Sequence, residues 1–141
     1  MDFRHKNQVI SSSPEETMKI GEKIGAVLEP GAIVSLNGAL GSGKTVLTRG
    51  IAAGAGVKDH IISPTYTIIS EYEGTIPFYH LDVYRLLGDE DFRLTGGEEL
   101  LYGGGICVIE WAERLTLPSG VLYIYIVILE DGKRSIHWEK R

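Results

Sequence analysis

The stretch GALGSGKT at residues 38–45 limits how this 141-residue chain can fold more than any other part of it. Gly38, Gly43, Lys44 and Thr45 satisfy the spacing G-x-x-x-x-G-K-[S/T]. Such a run works as the turn between a buried strand and a helix. Its glycines let successive backbone N–H groups face one anion without side-chain obstruction. The helix that follows adds the partial positive charge of its N-terminus. The flanks agree: AIVSLN at 32–37 reads as a short buried strand, and TVLTRGIAAGA at 45–55 as a helix weakened by Gly50 and Gly54. The cradle for phosphate is then formed by Gly38, Ala39, Leu40, Gly41, Ser42, Gly43, Lys44, Thr45 and Val46. Lys44 would reach the β- and γ-phosphates, and Thr45 would offer its hydroxyl to magnesium, a hard cation that takes oxygen ligands.

The rest of the chain alternates in kind. SSSPEETMKIGEKIGAVL predicts a helix capped by Ser13, with Pro14 at its first position and Glu16 completing a capping box. Glu29-Pro30-Gly31 ends it. TIPFYHLDVYRL at 75–86 reads as a strand, residues 89–105 as short helical pieces broken by glycine pairs, and ICVIE at 106–110 as a buried strand. VLYIYIVIL and RSIHWE form a hairpin around Asp131-Gly132. Together these predict an α/β fold, a P-loop three-layer sandwich around a mixed sheet, as one domain over residues 1–141.

Composition narrows the function classes. A net charge of −5 argues against a broad basic surface for nucleic acid. Lys133, Arg134, Lys140 and Arg141 gather near the C-terminus and read as a solvated tail. Cys107 cannot make an intramolecular disulfide, being the one cysteine, and lies in the apolar run ICVI as a buried thiol. MDFRHKNQV lacks the apolar core of a signal peptide, and the apolar run at 121–129 is too short to span a bilayer as a helix. A soluble cytoplasmic protein is expected, with no membrane partner.

A phosphate cradle needs a second acid near the metal. Two apolar runs close on a carboxylate, FYHLD at Asp82 and ICVIE at Glu110. Asp82 is assigned to magnesium and Glu110 to the attacking water; either acid suits either role. Ser63-Pro64-Thr65-Tyr66 lies between the cradle helix and Asp82, where nucleotide switches sense the γ-phosphate, and Thr65 has the hydroxyl for it. His80 shares a strand face with Asp82; a lone histidine is more often structural than catalytic. Trp111 could pack near the nucleotide or in the core. Neither Arg49 nor Arg85 is placed as a built-in arginine finger, so weak hydrolysis is expected of the isolated chain. No pair of ligands at zinc spacing is present, and no zinc site is expected.

GALGSGKT, SPTYT, YHLDVYRL and GICVIEW, in this order and spacing, resemble the bacterial TsaE (formerly YjeE) family, small P-loop ATPases of tRNA threonylcarbamoyladenosine (t6A) synthesis. The resemblance runs from about residue 10 to about residue 130. It implies ATP and Mg2+ as cofactors, TsaB and TsaD as partners, and tRNA engaged indirectly through that complex. In this scheme TsaC-type proteins make threonylcarbamoyl-adenylate, TsaD transfers the group to adenosine 37, and ATP hydrolysis resets the complex between turnovers. By matching position, Lys44 and Thr45 are the phosphate and magnesium residues, and Asp82 is the metal-associated acid. Thr65 is the switch-loop threonine, and Glu110 with Trp111 is the functional Glu-Trp pair, Glu110 also being able to reach the metal. The catalytic set is thus Lys44, Thr65, Asp82 and Glu110. One departure is Ala39, where the family commonly carries an acid; backbone phosphate binding does not need that carboxylate. Two other readings share the cradle: a small-molecule kinase, for which the acid-rich stretch 86–105 offers no arginine-rich lid, and a nucleotide-binding module without turnover.

Overall fold

The computed structural model describes residues 2–3, 7–59, 61 and 68–141. In chain order the elements are β1 (Asn7–Ser11), α1 (Pro14–Val27), β2 (Ile33–Gly38), α2 (Lys44–Gly54), β3 (Ile69–Tyr72) and β4 (Phe78–Asp82). There follow α3 (Asp89–Leu94), α4 (Gly97–Leu101), β5 (Ile106–Glu110), a 3-10 turn at Ala112–Arg114, β6 (Leu122–Ile128) and β7 (Arg134–Lys140). The strands form one sheet in the order β1-β7-β6-β2-β5-β4-β3. Its centre, β6-β2-β5-β4, is parallel, and β1, β7 and β3 add antiparallel pairings at the two sides. The expected α/β fold with a mixed sheet is the one observed.

The central strands are apolar on both faces because both are covered, as parallel strands require. Val34, Leu36, Ile106 and Val108 pack with Ile24 of α1 and with Leu47 and Ile51 of α2. Ile33, Cys107 and Ile109 alternate to the other face and pack with Phe92 of α3 and Leu101 of α4. Each such fully buried aliphatic side chain stabilises the fold by roughly 1.5–3 kcal/mol. Burial pushes the Cys107 thiol up to about 12, so it stays protonated and serves as packing.

Helix α1 starts as expected, with Pro14 in its first turn and the Ser13 hydroxyl accepting the Glu16 N–H at 3.1 Å. The return bond differs by one residue: the Glu16 carboxylate accepts the N–H of Ser12, at 2.6 Å. The glycines of α2 are a correction to the view that they only weaken the helix. A Cβ on Gly21 of α1 would stand 2.6 Å from the Leu47 carbonyl oxygen and 2.8 Å from Gly50 Cα. Gly50 and Gly54 meet the backbone of α1 in the same way, at Met18 and Glu22. The two helices therefore touch backbone to backbone, which only glycine allows. Gly50→Ala is expected to destabilise the protein by about 1–3 kcal/mol through overpacking, despite alanine's better helix propensity. Denaturant unfolding checks this, and an alanine variant as stable as the parent contradicts the close packing.

Three expectations from sequence are corrected at the sheet's margins. Strand β1 precedes the first predicted element; it forms because β7 offers it a complete antiparallel register, Asn7↔Trp138 to Ser11↔Arg134. Of the basic residues read as a solvated tail, Lys133, Lys140 and Arg141 are exposed, but Arg134 opens β7, is half-buried and bonds to the Ser42 carbonyl. Strand β4 stops at Asp82, short of 86, because the Asp82 carboxylate accepts the Tyr84 N–H at 3.0 Å and Leu86 N–H bonds back to the Val83 carbonyl at 3.0 Å. The β6–β7 turn is the expected one: Gly132 has φ +83° and the Asp131 carboxylate accepts the Lys133 N–H at 3.0 Å.

Candidate active site

Parallel strands deliver their carboxyl ends to one edge of the sheet, and here three of those ends matter. Strand β2 ends at Gly38, β4 at Asp82 and β5 at Glu110. Asp82 and Glu110 are direct register partners, and Glu110 also pairs with Leu36, two residues before Gly38. The chain continues from β2 to one side of the sheet and later returns on the other, so β2 lies between β5 and β6. Ligands of open α/β sheets bind at such a switch point, outside the strand ends.

The 38–45 turn has the geometry of a cradle. A Cβ on Gly38 would stand 2.6 Å from Ile126 Cγ2 and 2.7 Å from Ser42 Oγ, so the strand end admits no side chain. Gly41 and Gly43 have φ of +79° and +108°. Gly43 is the N-cap of α2 and has no side chain to accept the first amides of the helix. The start of this 11-residue helix, from Gly43 to Val46, lines the cleft without a side-chain cap, the arrangement that suits an anion. Ser42 N–H is bonded within the turn, to the Ala39 carbonyl at 3.0 Å.

Glu110 is 7% exposed and each of its carboxylate oxygens has one basic partner. Lys44 Nζ lies 3.3 Å from Oε1, and His80 Nε2 lies 2.8 Å from Oε2. Burial pushes the Glu110 carboxyl up, but the His80 hydrogen bond and the nearby Lys44 charge outweigh it and hold the group below the ordinary carboxylate value of 4.5. His80 is fully buried and touches the site through Glu110. Asp82 is half-buried, and its Oδ1 is engaged by the Tyr84 N–H.

A cleft of about 620 Å³ joins these groups, a volume suited to a nucleotide. Gly38, Ala39, Leu40, Gly41, Gly43, Lys44, Thr45, Val46, Asp82, Glu110 and Trp111 line it. The cradle and both candidate acids are thus brought together. The Ser42 side chain is not among them: it is fully buried and lines a smaller cavity of about 130 Å³ behind the loop. Thr65, with Ser63, Pro64 and Tyr66, lies outside the described residues. Arg49 donates from Nε to the Ile61 carbonyl at 3.0 Å, and Arg85 is exposed after β4.

Trp111 has φ +66°, the one positive φ among non-glycine residues described. A bulky side chain there is strained, and such strain gathers at functional sites. Its ring meets Tyr84 at 4.7 Å between centroids, and the Arg114 guanidinium lies over both rings, at 5.2 Å and 5.7 Å. Trp111 is therefore at the cleft wall and not in the core. Sequence reasoning misses Tyr84 and Arg114, and also Arg134, whose guanidinium reaches the cradle's Ser42 carbonyl at 2.9 Å. No signal in the run DGKR announces a contact 92 residues back along the chain.

The residues fit a nucleotide with a divalent cation. The backbone at 43–46 and the Lys44 ammonium line the cleft where phosphates would sit, and Thr45 and the two acids offer oxygen donors at the same edge. Comparison with known proteins places the chain in a family. The family model "Threonylcarbamoyl adenosine biosynthesis protein TsaE" matches residues 11–136. A tRNA threonylcarbamoyladenosine biosynthesis protein TsaE from Treponema pallidum is 44% identical over 129 residues, covering 90% of this chain and 96% of that protein. The protein of the same name from Bacillus subtilis is 41% identical over 127 residues, covering 88% and 79%. The crystal structure of Bacillus subtilis YdiB superposes with a TM-score of 0.78 at 36% identity, covering 98% of this chain and 87% of that one. With the cradle, both acids and Trp111 all inside the matched span, this chain belongs to the TsaE family.

Proposed function

We propose that this chain binds and hydrolyses ATP in tRNA N6-threonylcarbamoyladenosine synthesis, acting through a TsaB–TsaD complex that it resets between turnovers. The observation that carries the reading is the uncapped start of α2 beside Lys44, whose ammonium is 3.3 Å from a buried carboxylate one strand away. The role in t6A synthesis follows from membership of the family. The partners are those the family resemblance implies.

Lys44 carries its charge to the β- and γ-phosphates, exchanging the Glu110 oxygen for phosphate oxygens. Released from Lys44, Glu110 stays oriented by His80 and is free to hold the attacking water. The water oxygen bonds to the γ-phosphorus as the bond to the ADP oxygen breaks, and the water's proton passes to the Glu110 carboxylate. Thr45 and Asp82 would hold Mg2+, which would neutralise charge on the β- and γ-oxygens. Trp111, fixed by Tyr84, walls the cleft beside the nucleotide. Charge stabilisation by an arginine is left to a partner, because Arg49 is engaged with Ile61. Arg114 is stacked on the rim aromatics.

The test is t6A formation on tRNA from preformed threonylcarbamoyl-adenylate by TsaB–TsaD, with and without this chain and ATP. One round per complex without the chain and many with it is the expected result. An equal yield in both overturns the resetting role.

A further inference from the structure

We infer that Arg134 is a positioning residue of the phosphate cradle: from β7 it sets the direction in which the Gly43 N–H points. The inference rests on the nucleotide-binding reading above. Arg134 donates from Nε to the Ser42 carbonyl at 2.9 Å and from Nη2 to the Gly41 carbonyl at 3.4 Å. Its Nη1 bonds to the Gly132 carbonyl in its own hairpin turn.

The consequence comes from peptide geometry. The C=O and N–H of one trans peptide point in opposite directions. Drawing the Ser42 carbonyl toward β7 therefore turns the Gly43 N–H away from β7, toward the cleft that Gly43 and Lys44 line. Glycine at this point, with φ +108°, imposes little direction of its own. The Ser42 N–H is already used within the turn, by Ala39. An external group must fix the next peptide, and the guanidinium does so as a charged donor, which also polarises the N–H on the far side.

Arg134 is well placed to act as a fixed post. It pairs with Ser11 of β1 on one side and with Ile128 of β6 on the other. Leu129 N–H to the Lys133 carbonyl, at 2.8 Å, closes the turn behind it. It does not line the nucleotide cleft; it lines the smaller cavity behind the loop, with Ser42 and Gly43. Its effect on phosphate is exerted through the loop backbone.

Calorimetry with ATP, ADP and AMP on the unsubstituted protein, Arg134→Met and Arg134→Lys tests this. Arg134→Met is expected to weaken ATP and ADP binding roughly 10- to 150-fold, the range for one hydrogen bond to a charged group, and to leave AMP binding unchanged. Arg134→Lys, which keeps the charge but loses the fork, should fall between. The 15N amide resonance of Gly43 should move in both variants before any nucleotide is added. A purely structural role would lower the melting temperature but leave that selectivity and that resonance in place, and would overturn the inference. Equal loss for AMP overturns it too, since Arg134 would then act on the nucleoside. Unchanged affinities overturn it while sparing the nucleotide reading. No binding by the unsubstituted protein overturns both. If Arg134→Met fails to fold, the lysine variant carries the same comparison.

Discussion

Lys44→Ala is expected to weaken ATP binding by about 1.5–3 kcal/mol, the loss of a charge-assisted hydrogen bond to phosphate. The side chain begins α2 and its ammonium already sits in the cleft, so no rearrangement of the helix is needed to bring it to the ligand. The substitution also removes one of the two basic partners of Glu110, leaving His80 alone on that buried carboxylate. A lower melting temperature should therefore accompany the weaker binding, because a buried charge loses part of its compensation. Titration calorimetry with ATP and Mg2+ reads the first effect and a thermal melt without nucleotide the second. Unchanged affinity would remove the cradle assignment.

Glu110→Gln is expected to lower turnover by about a hundredfold to ten-thousandfold, the range for loss of a positioned acid or base group. ATP binding should be retained, because glutamine keeps the shape but holds Lys44 less tightly than a carboxylate, so phosphate competes with a weaker partner. Single-turnover hydrolysis and calorimetry on one preparation separate the two effects. Asp82→Ala should instead raise the Mg2+ concentration needed for activity. A change of Mg2+ response in Glu110→Gln alone would exchange the roles of the two acids, which neighbour each other across β4 and β5.

The cradle, the two acids and Trp111 are legible in the sequence because each is encoded locally. GALGSGKT carries its own backbone demands, and an apolar run ending in a carboxylate marks a strand end. What brings them to one edge is parallel pairing, and the mixed sheet follows from the order of strand and helix patterns. The contacts that cross the sequence are not legible. RSIHWE reads as a hairpin strand, but nothing in it says that its first residue will hold a loop 92 positions earlier. Gly50 and Gly54 read as weak points in a helix, because the backbone of α1 that demands them is some 30 residues away. His80 reads as a lone histidine, because its partner lies on another strand: register pairs it with Val108, and its ring reaches the Glu110 carboxylate two residues further along β5.

Steady-state ATP hydrolysis with Mg2+, by the protein alone and with its cognate TsaB–TsaD complex, shows whether this chain is a partner-coupled ATPase. Slow turnover alone and strong stimulation by the complex are expected, since no arginine is among the residues that line the described cleft with the cradle and its acids. Equal and low activity with and without the complex would contradict a partner-coupled ATPase.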